Sequence, residues 1–401
     1  MKILILNAGS SSLKYQLIDM DGEKLLAKGL VERIGIEGSH INQKANGQVF
    51  DATAPMANHT EGIQWMLKAL LDPEKGALKS MDEIGAVGHR VLHGGGRFTA
   101  SVLVNDEVKE AIKANIPLGP LHNPANLMGI EACEKVMPGT PNVAVFDTAF
   151  HQTMPPKAYL YGVPMEYYEK LHVRRYGFHG TSHRYVSKRV CEFLGVDRSK
   201  TRVITCHLGN GSSMCAVENG KCIDTSMGIT PLEGVIMGTR SGSMDPAVVQ
   251  YICNNEHISV DEMLTICNKK SGLLGISGLS SDMRDIDKAA DEGNERANIA
   301  RDMLVYGIRK YIGSYAAAMN GVDVIVFTAG IGENNCALRE RVMQGFEYLG
   351  AKLDPVKNAG CREEAVISTD DSKVKICVIP TDEEIVIARD TLCIVTGKPI
   401  E

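Results

Sequence analysis

The sequence predicts an α/β protein, and three observations carry that expectation. Short apolar runs of strand character alternate with segments of helical periodicity from end to end. One pattern (strand, Gly/Ser turn, strand, second Gly turn) occurs twice at long range. Glycine supplies 40 of 401 residues, above the average of roughly 7%, with no collagen period. Such an excess serves turns and places where backbone approaches a ligand closely.

Lys2 to Leu6 reads as a short strand and Tyr15 to Asp19 as its partner. The stretch Asn7-Ala8-Gly9-Ser10-Ser11-Ser12-Leu13 between them predicts a hairpin turn longer than the two-residue kind, with Asp21-Gly22 beyond the second strand. Ile63, Met66, Leu67 and Leu70 recur at helical spacing within Gly62 to Leu71. Ile84 to Val91 predicts a buried strand, Asn126 to Val136 a helix and Asn142 to Phe146 another strand. The hairpin pattern then returns: strand Arg202 to Leu208, turn Gly209 to Ser213, strand Met214 to Glu218, then Asn219-Gly220. Ala297 to Met319 predicts a long helix, and Asp323 to Phe327 a buried strand running into Thr328-Ala329-Gly330-Ile331-Gly332-Glu333-Asn334. Lys375 to Ile379 and Glu384 to Thr391 predict a late strand and a late helix.

The length suits two or three domains with a sizeable core. A charged fraction of 23% and a net charge of -6 argue against disorder and against a nucleic-acid binder. The apolar start Met1 to Leu6 is too short for a secretory signal, and no stretch approaches the roughly 18 apolar residues of a transmembrane helix. The 11 Cys are scattered and never spaced Cys-x-x-Cys, so they read as buried thiols of a cytoplasmic protein rather than disulfides.

Gly/Ser turns between strands offer backbone N–H groups to an anion with no Cβ in the way. Hydroxyls at Ser10, Ser12, Ser212 and Ser213 add donors, and Lys14 lies just past the first turn. One such turn alone reads as an ordinary surface hairpin. Two matching turns, with the Gly330–Asn334 segment after a buried strand, point to a nucleotide. A P-loop is excluded because Gly-x4-Gly-Lys-Ser/Thr is missing, and Met214 stands where a dinucleotide fingerprint needs Gly. Neither His-Arg-Asp nor Asp-Phe-Gly of a protein kinase occurs.

Arginines in Gly-rich or apolar context come next: Arg90 in Gly88 to Gly95, and Arg240 in Gly238 to Gly242. An anion is the natural partner of such a guanidinium. The pairs His89/His93 and His179/His183 have the i, i+4 spacing of zinc ligands, but no His-Glu-x-x-His and no Cys pair accompanies them. Asp147 and Glu383 follow strands, where a carboxylate either holds Mg²⁺ or caps a helix.

Taken together, these segments resemble the acetate kinase (acetokinase) family of the sugar kinase and actin superfamily. The matching segments are Asn7–Lys14, Gly88–Gly95, Phe146–His151, Tyr176–His183, His207–Gly211, Thr225–Gly242, Gly330–Asn334 and Thr381–Glu384, so the resemblance spans residues 3 to about 391. It implies two actin-like, ribonuclease H-like lobes with an active site in the cleft between them: residues 1–147 with 385–401, and residues 148–384. It also implies a cytoplasmic homodimer, with no nucleic-acid or membrane partner.

The implied reaction is reversible, Mg²⁺-dependent, in-line transfer of the ATP γ-phosphoryl group to acetate, giving acetyl phosphate and ADP, with Mn²⁺ able to substitute. By resemblance, Arg90 and Arg240 grip the carboxylate and the transferred group, and His179 stabilises that group in flight. Asp147 resembles the family's catalytic carboxylate, read here as an orienter of metal-bound water or arginine. Asn7 and Glu383 match the Mg²⁺ residues. Ser12, Lys14, His207, Leu208, Gly209, Asn210, Gly211, Asp282, Met283, Arg284, Gly330, Ile331, Gly332, Glu333 and Asn334 match nucleotide contacts. His122 matches a substrate-side histidine, and Leu92, Leu121, Phe178 and Pro231 match the acyl pocket. Leu92 stands where a smaller Val is common, which favours acetate over propionate. Asp382 stands where Asn often lies beside the metal Glu. Two other readings stay open here: a propionate kinase on the same scaffold, and a non-catalytic actin-like ATP-binding protein.

Overall fold

A computed structural model of the chain describes residues 1–120 and 122–400. The chain divides into two compact units, Met1–Ala149 with Asp382–Glu401, and Phe150–Thr381. Residues 148–149 and 382–384 thus fall in the first unit.

The first unit is built on one sheet. Its strands are β1 (Lys2–Gly9), β2 (Ser12–Asp19), β3 (Lys24–Glu32), β4 (His40–Ala45), β5 (Gln48–Thr53), β6 (Ile84–Val91), β7 (Val102–Leu103) and β8 (Asn142–Phe146). They lie in the order β5-β4-β3-β2-β1-β6-β8-β7. Strands β1, β2 and β3 are antiparallel neighbours, while β1, β6 and β8 run parallel. Both faces of β1 are covered, which explains its unbroken apolar run. Leu4, Leu6 and Ala8 share a core with residues of the helices His59–Leu70 and Asn123–Val136. The helix Glu383–Thr396 packs on β1 and β6. It comes so close that a Cβ on Gly88 would lie 2.5 Å from Thr391 Oγ1 and 2.6 Å from Ile387 Cγ2. Gly88 therefore fixes where Glu383 meets the end of β6.

The second unit repeats the plan. Its strands are β9 (Arg202–Leu208), β10 (Ser212–Glu218), β11 (Lys221–Thr225), β12 (Val324–Thr328), β13 (Ala365–Val366) and β14 (Lys375–Val378), in the order β11-β10-β9-β12-β14-β13. The antiparallel trio and the parallel pair beyond it match β3-β2-β1-β6-β8 strand for strand. This is the ribonuclease H-like arrangement expected of two actin-like lobes. The helix Gly180–Leu194 covers one face through Val186 and Val190. The helix Glu295–Ala318 covers the face that carries Ile204, Cys206 and Leu208.

The repeated hairpins differ at their tips. The first is tighter than the sequence suggested: Gly9 pairs with Ser12, leaving only Ser10 and Ser11 in the turn. The ladder runs on through residues that look like loop because Asn7 and Lys14 still face each other across it. In the second, Leu208 pairs with Ser212, so the turn is Gly209–Gly211 and the returning strand begins two residues earlier than expected. Asn219 and Gly220 both have positive φ, 53° and 76°, as a two-residue turn of the hairpin type requires.

Candidate active site

In the first unit the chemistry gathers at the ends of β6 and β8. Arg90 lies on β6 opposite Val145, and Asp147 follows β8, its N–H extending the ladder to the Val91 carbonyl at 3.0 Å. Arg90 Nη2 donates to Asp147 Oδ2 at 2.5 Å, and Arg90 Nε lies 3.7 Å from Glu383 Oε2. The Asp147 side chain is fully buried, and that of Arg90 is 20% exposed. Burial works against the Arg90 charge, but the carboxylates of Asp147 and Glu383 outweigh it and raise its pKa. Glu383 is not the cap of the helix it opens. That task falls to Asp382, whose Oδ1 accepts from Ile385 N at 3.0 Å at the start of the helix that Glu383 opens. The Asp standing in place of Asn thus acts on the helix, and Glu383 occupies its first turn.

Two asparagines that sequence reasoning missed brace this site, and one of them joins it to the first hairpin. Asn126 Nδ2 donates to the Ala8 carbonyl and its Oδ1 accepts from Leu92 N, both at 3.0 Å. Asn123 holds both backbone groups of His93, at 3.1 and 3.0 Å. Their side chains are buried on a helix whose periodicity alone suggests packing. The hairpin turn is anchored as well, since His59 Nε2 donates to the Gly9 carbonyl at 2.8 Å. Lys14 is exposed, Asn7 and Ser12 are partly buried, and Leu92 is buried. His122 precedes the helix Asn123–Val136, and Leu121 lies outside the described residues.

In the second unit the turn Gly209–Gly211 borders two features. On one side Gly209 and Asn210 line a cavity of about 900 Å³, together with Asp282, Arg284, Gly330 and Asn334. Met283 and Ile331 also line it, so eight of the expected nucleotide residues meet there. On the other side, a Cβ on Gly211 would lie 3.3 Å from Arg240 Nη1 and 3.6 Å from His179 Nε2. A side chain there would crowd the Arg240 guanidinium, and glycine leaves the approach open.

Arg240 Nη1 donates to the Pro231 carbonyl at 3.2 Å, and no carboxylate lies within ion-pair distance of it among the described residues. Burial lowers its pKa, so an anion beside it would be favoured. His179 has φ 56° and opens the helix Gly180–Leu194. Its ring stacks on His207 at 4.1 Å between centroids, and its Nδ1 lies 2.8 Å from Ser213 Oγ. Ser213 is fully buried against His179 and Ser212 Oγ donates to the Gly209 carbonyl at 2.9 Å, so these hydroxyls are engaged within the protein rather than offered to a phosphate. Leu208 and Phe178 are buried, and Pro231 is partly buried.

The remaining members of the nucleotide set divide by task. Asp282 caps the helix Met283–Asp291 and pairs with Arg284, whose hydrogen bonds bring its pKa down to about 2. Glu333 turns back to accept from Ala329 N at 2.7 Å and Thr381 N at 3.2 Å, closing the start of the helix Ala329–Asn334. Arg339, fully buried and not anticipated, donates to the carbonyls of Gly332 and Glu333 at 2.8 Å each. Arg175 was missed too. Its Nη1 reaches the carbonyls of Thr225, Ser226 and Met227, and its Nη2 reaches Glu233 Oε1 at 2.6 Å. This network shapes the segment that carries Pro231. Among the described residues, the one His/Cys/Asp/Glu trio close enough for a metal is His151, Cys215 and Cys222, and neither i, i+4 histidine pair belongs to it.

The model of the acetokinase family matches residues 2–389. An acetate kinase from Clostridium botulinum (strain Hall) is 58% identical over 391 residues, 98% of each chain. A crystal structure of Porphyromonas gingivalis acetate kinase superposes with a TM-score of 0.94 at 50% identity, covering 98% of this chain and 99% of that one. A propionate kinase from Francisella tularensis subsp. tularensis SCHU S4 superposes with a TM-score of 0.91 at 43% identity, with the same coverage. With the family matched along nearly the whole length, the chain belongs to the acetokinase family.

Proposed function

We propose that the protein catalyses reversible, Mg²⁺-dependent phosphoryl transfer between ATP and acetate, giving ADP and acetyl phosphate. The observation that carries this reading is the position of the turn Gly209–Gly211, between a nucleotide-sized cavity and the side chains of Arg240 and His179. Phosphates bound along this turn would end at Gly211, beside an arginine that has no carboxylate partner among the described residues. A protein that only bound ATP would have no use for that second arrangement.

Acetate is ionised at neutral pH, so activating the nucleophile needs no strong base. The site must instead hold two anions in line and offset their repulsion. Arg240 and His179 would stabilise the transferring group, each preorganised donor contributing roughly 3–4 kcal/mol. Arg90 would grip the carboxylate, held in place by Asp147. Leu92, Leu121, Phe178 and Pro231 would enclose the methyl group, with His122 on the substrate side.

Asn7 and Glu383 suit Mg²⁺: both present hard oxygen donors, on elements that pack together. Bound there, the ion would neutralise phosphate charge. Lys14 and Ser12 would add donors from the first hairpin, while His207, Leu208, Gly332 and Glu333 support the nucleotide cavity through the backbone they shape. We further propose a cytoplasmic homodimer. Val248, Tyr251, Val260 and Leu264 expose apolar surface on the helices Pro246–Glu256 and Val260–Lys269, which a second copy would cover. The test is ADP formation that requires both acetate and Mg²⁺, with acetyl phosphate trapped as its hydroxamate. Nucleotide turnover indifferent to acetate would contradict the reading.

A further inference from the structure

Ser213 faces two imidazoles. Its Oγ lies 2.8 Å from His179 Nδ1 and 2.7 Å from His183 Nε2, while His183 Nδ1 lies 2.7 Å from Thr205 Oγ1. Ser213, His183 and Thr205 are fully buried. A serine hydroxyl carries one proton, so Ser213 donates to one ring and accepts from the other. Burial lowers the His183 pKa well below its ordinary value, and the neighbouring His151 and His207 add to this. His183 is therefore neutral and carries a single N–H.

These facts leave two directions for the whole chain of bonds. In one, Thr205 donates to His183, His183 Nε2 donates to Ser213, and Ser213 donates to His179 Nδ1. His179 then carries its proton on Nε2. In the other, every bond reverses, and a neutral His179 presents a bare lone pair at Nε2. The reversed chain leaves the Thr205 hydroxyl proton without an acceptor, because His183 is the one hydrogen-bond partner of Thr205 Oγ1 among the described residues. A buried donor left unmade costs about 1–3 kcal/mol. The first direction uses every hydroxyl proton.

A parallel relay serves the stacked ring. Thr381 Oγ1 donates to Ser182 Oγ at 2.8 Å, and Ser182 Oγ lies 2.7 Å from His207 Nδ1.

We propose that Ser213 and His183 are positioning residues that hold His179 as the neutral tautomer protonated on Nε2, so that it faces the turn at Gly211 as a hydrogen-bond donor. The tautomer follows from the bond geometry together with the neutral state of the buried His183. Its catalytic consequence rests on the phosphoryl role proposed for His179 above: an N–H attracts a phosphoryl oxygen, whereas a lone pair repels it.

The test is the long-range ¹⁵N correlation spectrum of the full chain labelled with ¹⁵N-histidine at neutral pH, with His179 assigned through its loss in His179→Asn. The expected wild-type pattern is the Nε2–H tautomer. Ser213→Ala, a change of one atom, should turn it into a tautomer mixture, and Ser213→Thr, which keeps the hydroxyl, should restore it. An Nδ1–H or doubly protonated His179 in the wild type, or an unchanged tautomer in Ser213→Ala, would overturn the proposal.

Kinetics separates the two claims. Ser213→Ala should lower kcat about 10–100-fold, as loss of a supporting partner typically does, with little change in KM for ATP. If the tautomer shifts and kcat holds, the relay stands and the phosphoryl role of His179 falls.

Discussion

Arg90 and Asp147 face each other from the ends of neighbouring parallel strands, the guanidinium donating to a fully buried carboxylate at 2.5 Å. Parallel pairing of β6 with β8 sets this approach, so the pair is built by the sheet and not by a flexible loop. Asp147→Asn keeps an acceptor but removes the charge that holds Arg90. It should lower kcat about 10²–10³-fold and destabilise the fold by about 1–3 kcal/mol, since Arg90 keeps part of its exposure. Steady-state rates and thermal unfolding of the same preparation check both halves.

Arg240, proposed to stabilise the transferring group, supports no ion pair among the described residues: its hydrogen bonds go to the Pro231 carbonyl and the Met237 sulfur. Arg240→Ala should therefore cost kcat about 10³-fold or more while leaving the unfolding midpoint nearly unchanged. Arg240→Lys should recover only part of the rate, since a point charge cannot replace a planar fork. A variant with near-normal turnover would remove Arg240 from the mechanism.

Asn126 satisfies two backbone groups on different segments, Ala8 O and Leu92 N. Asn126→Leu leaves both unpaired in the interior, at roughly 1–3 kcal/mol each. The expected result is a lowered denaturation midpoint together with weakened acetate saturation, because Leu92 and the neighbouring Arg90 lose their tether to the hairpin. Equilibrium unfolding and the acetate KM read the two effects.

Much of the frame could be read from the sequence. Strands β6 and β8 begin and end where their apolar runs do, and the two hairpins announced the repeated plan. The polar supports could not be read. Asn126 meets Ala8 across 118 positions, and Arg175 meets the Thr225 carbonyl across 50, so no local pattern marks either. Nothing in the sequence around Arg339 singles it out, yet it is fully buried and holds the carbonyls of Gly332 and Glu333. Ser213 shows the opposite failure. The sequence places it in a Gly/Ser turn that suits a phosphate, but it belongs to β10, whose alternation turns its hydroxyl inward to the histidines. Local composition marks where anions are suited, and the strand period then decides which hydroxyls can reach them.

Acid should weaken the fold through His89. This residue is buried next to Arg90 and donates to Asn142 Oδ1 at 2.7 Å. Burial pushes its pKa down to about 4, with the Asn142 bond opposing. The unfolded chain, with a histidine pKa near 6.5, binds the proton first. The contribution is therefore fully present above about 6.5 and is lost as pH falls from there towards 4, on the order of 3 kcal/mol in all. His183, lowered in the same direction, adds to the loss. His89→Gln should flatten part of the slope of the unfolding free energy between pH 6.5 and 4. An unchanged slope would show that His89 does not titrate in that window.

The most direct test of the proposed reaction is a series of carboxylic acids of two, three and four carbons, assayed with ATP and Mg²⁺ by hydroxamate trapping. Leu92 is buried and is proposed as one wall of the acyl pocket, where one methylene is worth about 1–3 kcal/mol. Acetate should therefore give the highest kcat/KM, with propionate roughly 10–200-fold lower and butyrate lower still. A peak at propionate or butyrate, or ATP turnover that ignores the acid, would contradict the account.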